Sequence, residues 1–222
     1  MLSIVTGTLN RIELLKKVIA NTIEKTNQLE LVLVDGGSTD GTIEYVKSLN
    51  HPQIKLIEIG ARSSYPHFMN IGIRNSTFEW IAQWNDDVLL INDWEDVFKL
   101  MENSSDAYIF DWTRGNIEQY ESGTYSKKWI YFYDCMNFGI YHKNVFRDIG
   151  LYDNKFKYYE CDHDMSTRCL LLKKKIINAH NIKVMEINTE KRCFPENNDR
   201  MLWGTNRMLY MSGKIPEGIE KL

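Results

Sequence analysis

The chain has 222 residues, 43% of them hydrophobic, enough to bury one sizeable core as one domain or as a domain with a subsidiary lobe. A formal net charge of -3 excludes a global field for nucleic acid or an anionic membrane, although local Lys and Arg side chains remain available to phosphates. The cysteines Cys135, Cys161, Cys169 and Cys193 have no C-x-x-C spacing, which excludes a small disulfide framework and reads as free thiols in a reducing compartment.

The opening MLSIVTGTLNR has an apolar run too short for a signal sequence, and no later run approaches a membrane span. The expectation is a soluble, cytoplasmic chain with at most peripheral membrane association. Leu2 to Thr6 reads as a buried strand, followed by a helix with Ile12, Leu15, Val18, Ile19 and Ile23 on one face. Asn10 is placed to cap that helix. Leu31 to Val34 is a continuous apolar run, the pattern of a parallel strand covered on both faces. It breaks at DGGSTDGT, where Ser38, Thr39 and Asp40 are candidate N-caps for a helix bearing Ile43, Val46 and Leu49.

Ile54 to Ile59 is a third strand, Ile71 to Ser76 the end of a helix, and Trp80 to Trp84 a fourth strand. Asn92 with Glu95 resembles a capping box before a helix with Trp94, Val97, Phe98 and Met101 on its buried side. Strand and helix alternate through this half, which predicts a doubly wound α/β unit.

Further on, Asp106 to Trp112 reads as a strand, Thr113 to Lys128 as a polar excursion, and Trp129 to Tyr141 as aromatic and β-prone. Asp162-His163-Asp164 precedes a helix with Met165, Cys169 and Leu172 on one side, and Asp164 reads as its N-cap. Ile176 to Ile187 holds one or two strands, and the tail after Thr189 is irregular. One domain spanning 1–222 is expected, with a nucleotide-binding half to about residue 105 and an acceptor-binding half from about 106.

The chemistry concentrates at Asp86 and Asp87, which follow an apolar β-prone run. In an open α/β sheet the ligand lies beyond the carboxyl ends of the strands. Two adjacent carboxylates there repel each other and call for a positive partner. A hard divalent cation carrying a phosphate fits, since Mg²⁺ and Mn²⁺ take oxygen ligands. Ordinary turn chemistry for Asn85-Asp86-Asp87 is the alternative.

Four stretches in order, SIVTGTLNR, LVLVDGGSTDGT, MNIGIRNSTFEWIAQWNDD and GLYDNKFKYYECDHDMSTRCLLLKKK, resemble the inverting family 2 glycosyltransferases of GT-A fold. The resemblance implies a single mixed sheet with helices on both faces. It further implies metal-dependent transfer of a sugar from a nucleoside-diphosphate donor to a hydroxyl of a glycan, a lipid-linked sugar or a protein, with no nucleic-acid partner.

By the same resemblance Thr6, Gly7, Thr8, Asn10 and Arg11 line the base and ribose pocket. Asp35 matches the first acid of the family's Asp-Asp pair, with Gly36 in place of the second and Gly37 following, so uracil is the default base and guanine and deoxythymidine stay open. Arg62 is a diphosphate candidate. Asn85 and Asp86 face ribose or donor sugar, and Asp87 ligates Mn²⁺ or Mg²⁺. Glu186 falls where relatives place a metal-binding histidine.

Asp162 matches the catalytic base. Cys161 stands where a Glu is usual, which keeps Glu160 and Asp164 open as bases under a one-residue shift. Asp164 and Arg168 match the acid and arginine of the helix that follows. For the acceptor, Asn137 and Trp129 are the candidates, among the aromatics Trp112, Tyr131, Tyr133 and Trp203. A non-catalytic sugar-nucleotide or glycan-binding module is the competing reading. A nucleotidyltransferase would need a Gly-rich, basic phosphate loop after the first strand, which GTLNR lacks.

Overall fold

The computed structural model describes residues 1–101, 106–125, 129, 136–157, 159–188 and 199–222. Tyr131, Tyr133, Cys135 and Cys193, named above, lie outside them.

Alternating apolar strands and amphipathic helices build one eight-stranded mixed sheet in the order β3-β2-β1-β4-β7-β6-β8-β5. Its first half is parallel: β1 (Leu2–Thr8) lies between β2 (Leu29–Asp35) and β4 (Trp80–Gln83), and β3 (Ile54–Glu58) flanks β2. An antiparallel β7 (Gly139–His142) joins β4 to β6 (Ala107–Arg114). β8 (Ile176–Glu186) runs parallel to β6 and carries the three-residue β5 (Val88–Leu90) antiparallel on its far side.

Successive strand residues point to opposite faces, and the core divides accordingly. Ile4, Leu31, Leu33 and Ala82 pack under α1 (Ile12–Asn21), α2 (Thr42–Leu49) and α4 (Trp94–Leu100), represented by Leu15, Val46 and Trp94. Val5, Val32 and Ile81 face α3 (Tyr65–Asn75), α6 (Lys143–Ile149) and α7 (Cys161–Leu171), represented by Met69, Phe146 and Met165. This two-sided cover is why Leu31 to Val34 reads as an unbroken apolar run.

Several expectations need correction. Asn92 and Glu95 form no capping box. Asp93 is the N-cap of α4, without a side-chain bond, and Asn92 instead accepts from Lys183 N at 2.8 Å and donates to Asn181 O at 3.0 Å, stitching the chain to β8. The excursion after Trp112 begins as the end of β6 and then forms α5 (Ile117–Ser122), opened by a capping box of Asn116 with Gln119 and closed by Gly123 at φ 68°. The tail is not irregular throughout: α8 (Asp199–Met211) packs on α7. Leu172 falls just past the end of α7 and is 54% exposed, whereas Met165 and Cys169 are buried.

No helix among the described residues is long and apolar enough to cross a membrane. Cys161 and Cys169 are buried free thiols.

Candidate active site

The carboxyl ends of β1, β2 and β4 open on the same side, and the loops that leave them are pinned to one another. Gly36 N donates to Thr8 O at 3.0 Å, tying the β2 loop to the β1 loop. Asn10, at φ 53°, accepts from Thr39 N at 2.7 Å and its own N–H donates to Ser38 Oγ at 2.9 Å. Its side chain therefore bridges loops and does not cap α1. Asp40 takes that place: one oxygen accepts from Ile12 N at the start of α1, the other from Thr42 N at the start of α2. One carboxylate thus serves two positive helix ends.

Asp35 is fully buried. Its oxygens accept from Gly37 N, Ser38 N and Ser38 Oγ at 2.8, 2.8 and 2.6 Å. In this structure it shapes the loop. Two glycines follow it, and the backbone requires glycine at the second, whereas the first is only tightly packed. Gly37 sits at φ 88° with the Gly60 carbonyl carbon only 2.9 Å from where a Cβ would stand, and at Gly36 a Cβ would lie 3.0 Å from the Phe68 ring. Phe68 also fills the space beside Gly7, and Thr6 is buried in the sheet. Arg62 is exposed in the loop between β3 and α3.

The acidic pair sits in a turn between β4 and β5, closed by Val88 N donating to Asn85 O at 3.3 Å. Trp84, fully buried, donates its indole N–H to Val88 O at 2.8 Å and so braces both sides of the turn. The turn reading and the site reading of these residues are therefore compatible. Asp86 accepts from Thr8 Oγ1 at 2.8 Å. The positive partner in the structure is Arg11: its Nη1 lies 3.1 Å from Asp86 Oδ1 and 2.9 Å from Asp87 Oδ2.

Burial raises the Asp86 carboxyl to about 6, against the pull of Arg11 and with the push of Asp87. Two carboxylate oxygens from adjacent residues converge on one nitrogen, an all-oxygen, anionic donor set that suits Mg²⁺ or Mn²⁺.

Glu186, the last residue of β8, stands opposite Val88 in the β5–β8 pairing, and Ile187 N donates to Asp87 O at 2.8 Å, so Glu186 lies beside the turn that carries Asp87. The Glu186 carboxylate is 3.2 Å from Arg114 Nε. Among the described residues no three His, Cys, Asp or Glu side chains gather as a metal centre.

Asp162 lies in the first turn of α7, its side chain 22% exposed, accepting from His163 N at 3.0 Å. His163 Nδ1 is 3.2 Å from Glu160 and 3.5 Å from Asp162. Glu160 forms the N-cap at φ 62°, and Cys161 turns into the core. Tyr152, in the same core cluster as Cys161, donates its hydroxyl to Gln83 of β4, three residues before Asp86. Burial pushes that hydroxyl well above its usual range, with Tyr65, Tyr141, Cys161 and Asp162 adding to the effect.

Asp164 is not an N-cap, and its burial takes it out of contention as a base. It has no exposed surface and accepts from Arg168 Nε at 3.1 Å, Asn206 at 3.0 Å and Tyr210 at 2.8 Å. Arg168 also donates to the carbonyls of Ile149, Gly150 and Leu151.

On the acceptor side, Met136 N donates to Ser166 Oγ at 2.6 Å, and that hydroxyl donates to Asp162 O at 2.9 Å. Asn137, half-buried, follows directly, which brings it near the turn that carries Asp162. Trp129 is elsewhere engaged, with Lys183 Nζ 4.8 Å from its ring centre. Trp112 is core, whereas Trp203 of α8 lies 5.8 Å from the His163 ring.

Sequence reading missed α8 and its residues Asp199, Asn206 and Tyr210. The signal was present, since Asp199, Leu202, Trp203, Asn206 and Tyr210 recur at helical spacing.

The sequence profile of glycosyl transferase family 2 matches residues 3–178. A search of curated proteins finds no match. Among solved structures, the chain is similar to the mannosyltransferase PcManGT from Pyrobaculum calidifontis in complex with GDP-Man and Mn²⁺. The TM-score is 0.67 at 16% identity, over 98% of this chain and 66% of that one. S. aureus TarS gives a TM-score of 0.72 at 13% identity, over 98% of this chain and 40% of TarS. TarS 1–349 in complex with UDP-GlcNAc gives 0.71 at 14% identity, over 94% and 66%. The chain spans less than two thirds of these neighbours, and at such identities the likeness is one of fold. Since the profile covers most of the chain and the sheet has the GT-A architecture, the chain belongs to glycosyl transferase family 2.

Proposed function

We propose that this chain is a metal-dependent inverting glycosyltransferase. It takes a sugar from a nucleoside-diphosphate donor, with UDP as the default and GDP or dTDP as alternatives, to a hydroxyl of a glycan, lipid-linked sugar or protein. The observation that carries this reading is the convergence of Asp86 and Asp87 on a single point at the mouth of the sheet, within the span of the family profile. GDP-Man, UDP-GlcNAc and Mn²⁺ in the neighbours' complexes support it.

In this reading the β1 and β2 loops, from Thr6 to Arg11 and from Asp35 to Gly37, enclose the nucleoside, and Arg62 approaches the diphosphate. Asp87, with Asp86 beside it, holds Mn²⁺ or Mg²⁺, and Glu186 at the end of β8 is a further ligand candidate. The cation, when bound, stabilises charge on the departing phosphate oxygens. Asp162 accepts the proton of the acceptor hydroxyl as that oxygen bonds to the anomeric carbon. The bond from that carbon to the diphosphate breaks on the opposite face, so configuration inverts. Asn137 orients the acceptor beside Asp162. The free thiols and the absence of a spanning helix among the described residues fit a cytoplasmic enzyme.

The test is calorimetry with UDP, GDP and dTDP sugars, with and without Mn²⁺, followed by a nucleotide-release assay. Asp87→Asn is expected to abolish metal-dependent donor binding. Asp162→Asn is expected to keep donor affinity within about twofold and to lower transfer at least about a hundredfold. Wild-type turnover by Asp162→Asn removes the base assignment, and retained donor binding without turnover in the wild type leaves a binding module.

A further inference from the structure

We propose that Arg11 is a tethered counter-ion which keeps the acidic pair closed to a free divalent cation, so that the metal enters only together with the diphosphate that draws the guanidinium away. This rests on the transferase reading above and adds to it an order of events set by one side chain.

The argument begins with charge. Asp86 and Asp87 are adjacent, and only 6% and 0% exposed. Two carboxylates so placed stay ionised together only with positive charge between them. Arg11 supplies it from a single nitrogen, Nη1, at 3.1 and 2.9 Å from one oxygen of each acid. A cation held by the same two oxygens would occupy the same point at shorter range, because Mg²⁺–oxygen distances are about 2.1 Å. Guanidinium and metal are therefore mutually exclusive there.

The anchoring of Arg11 suits this exchange. Its backbone is fixed: Asn10 before it is held to Thr39 and Ser38, and Arg11 O accepts from Leu15 N at 2.9 Å in the first turn of α1. The long side chain is the movable part. It is 28% exposed, so it stands between the buried acids and solvent. Both bonds to the acids use Nη1, which leaves the rest of the guanidinium fork to meet phosphate oxygens. An incoming diphosphate thus offers Arg11 a second anionic partner at the moment it brings ligands for the cation. Sequence alone does not show this contact, because Arg11 lies 75 residues from Asp86.

The experiment measures Mn²⁺ binding, by the loss of the free-ion electron paramagnetic resonance signal, for wild type, Arg11→Met and Arg11→Gln. Each is titrated alone, with UDP and with GDP. Both variants are expected to bind Mn²⁺ at least about tenfold more tightly than wild type without nucleotide, a gain of about 1.4 kcal/mol. With saturating nucleotide the difference is expected to shrink, so the nucleotide enhances Mn²⁺ affinity less in the variants than in wild type. If wild type and both variants bind free Mn²⁺ equally, the counter-ion role is wrong while the transferase reading stands. If wild type fails to retain Mn²⁺ with UDP, with GDP and, in a further titration, with dTDP, the transferase reading itself fails. Asp87→Asn serves as the control that the ion counted is the one at the acidic pair.

Discussion

Asp86 carries a free-energy penalty in the ligand-free protein. Its carboxyl is raised from 3.8 to about 6, chiefly by burial, so the folded chain binds more protons than the unfolded chain between those values. Stability from this group therefore falls as pH rises through that window, and the full penalty applies above pH 6. Asp86→Asn is expected to stabilise the ligand-free protein at pH 7.5 by about 1–2 kcal/mol, roughly 2–8 °C in melting temperature, with the gain vanishing near pH 4. Differential scanning calorimetry across that range checks it, and a melting temperature lowered at pH 7.5 would contradict it. At this scale the acids themselves were legible, because adjacent carboxylates after an apolar strand are a local signal. Their partner was not: nothing in GTLNR says that its arginine reaches across to Asp86. Gly36 was legible as a departure from a family pattern and, with Gly37, as a glycine for a tight turn; only Gly37 has a positive φ. The Phe68 ring packs tightly against Gly36, and that ring comes from a helix further along the chain.

At the scale of elements, the pairing of α7 with α8 decides how the turn that carries Asp162 is held. Asp199 at the start of α8 accepts from Tyr159 N at 2.9 Å, and Asn206 donates to Asp153 and Asp164, both at 3.0 Å. Arg168 spans from this cluster to three carbonyls at the end of α6, with only 5% of its side chain exposed. Removing it leaves a buried carboxylate and those carbonyls short of donors. Arg168→Met is expected to lower stability by about 3–5 kcal/mol. Arg74→Met breaks an exposed ion pair with Glu220 and is expected to lower stability by less than about 1 kcal/mol. Urea denaturation of the two variants measures the contrast, and equal losses would count against a buried role for Arg168. Neither α5 nor α8 was read from sequence. α5 is only six residues long and is defined by its caps, and α8 buries polar side chains, so an apolar stripe is a poor guide to it.

For the whole molecule, the sheet runs without interruption from β3 to β5 and passes from parallel to antiparallel pairing at β4 and β7. Residues before and after position 105 share this sheet and both of the cores that flank it. Thermal unfolding is accordingly expected as one transition seen alike by calorimetry and tryptophan emission, and two resolved transitions would divide the chain near residue 105. The parallel half was legible because buried parallel strands and alternating helices leave simple periodic signals. The mixed half was less so, since β7 and β5 are four and three residues long and owe their place to partners far away in sequence.

The brace that Trp84 throws across the acidic turn has a spectroscopic corollary. Its indole is sealed from water, bonded to the carbonyl of Val88 beyond the two acids, and 5.6 Å from the ring of Trp94. Arrival of Mn²⁺ with a nucleotide at the neighbouring acids is therefore expected to alter the near-ultraviolet circular dichroism of this indole pair, without any added label.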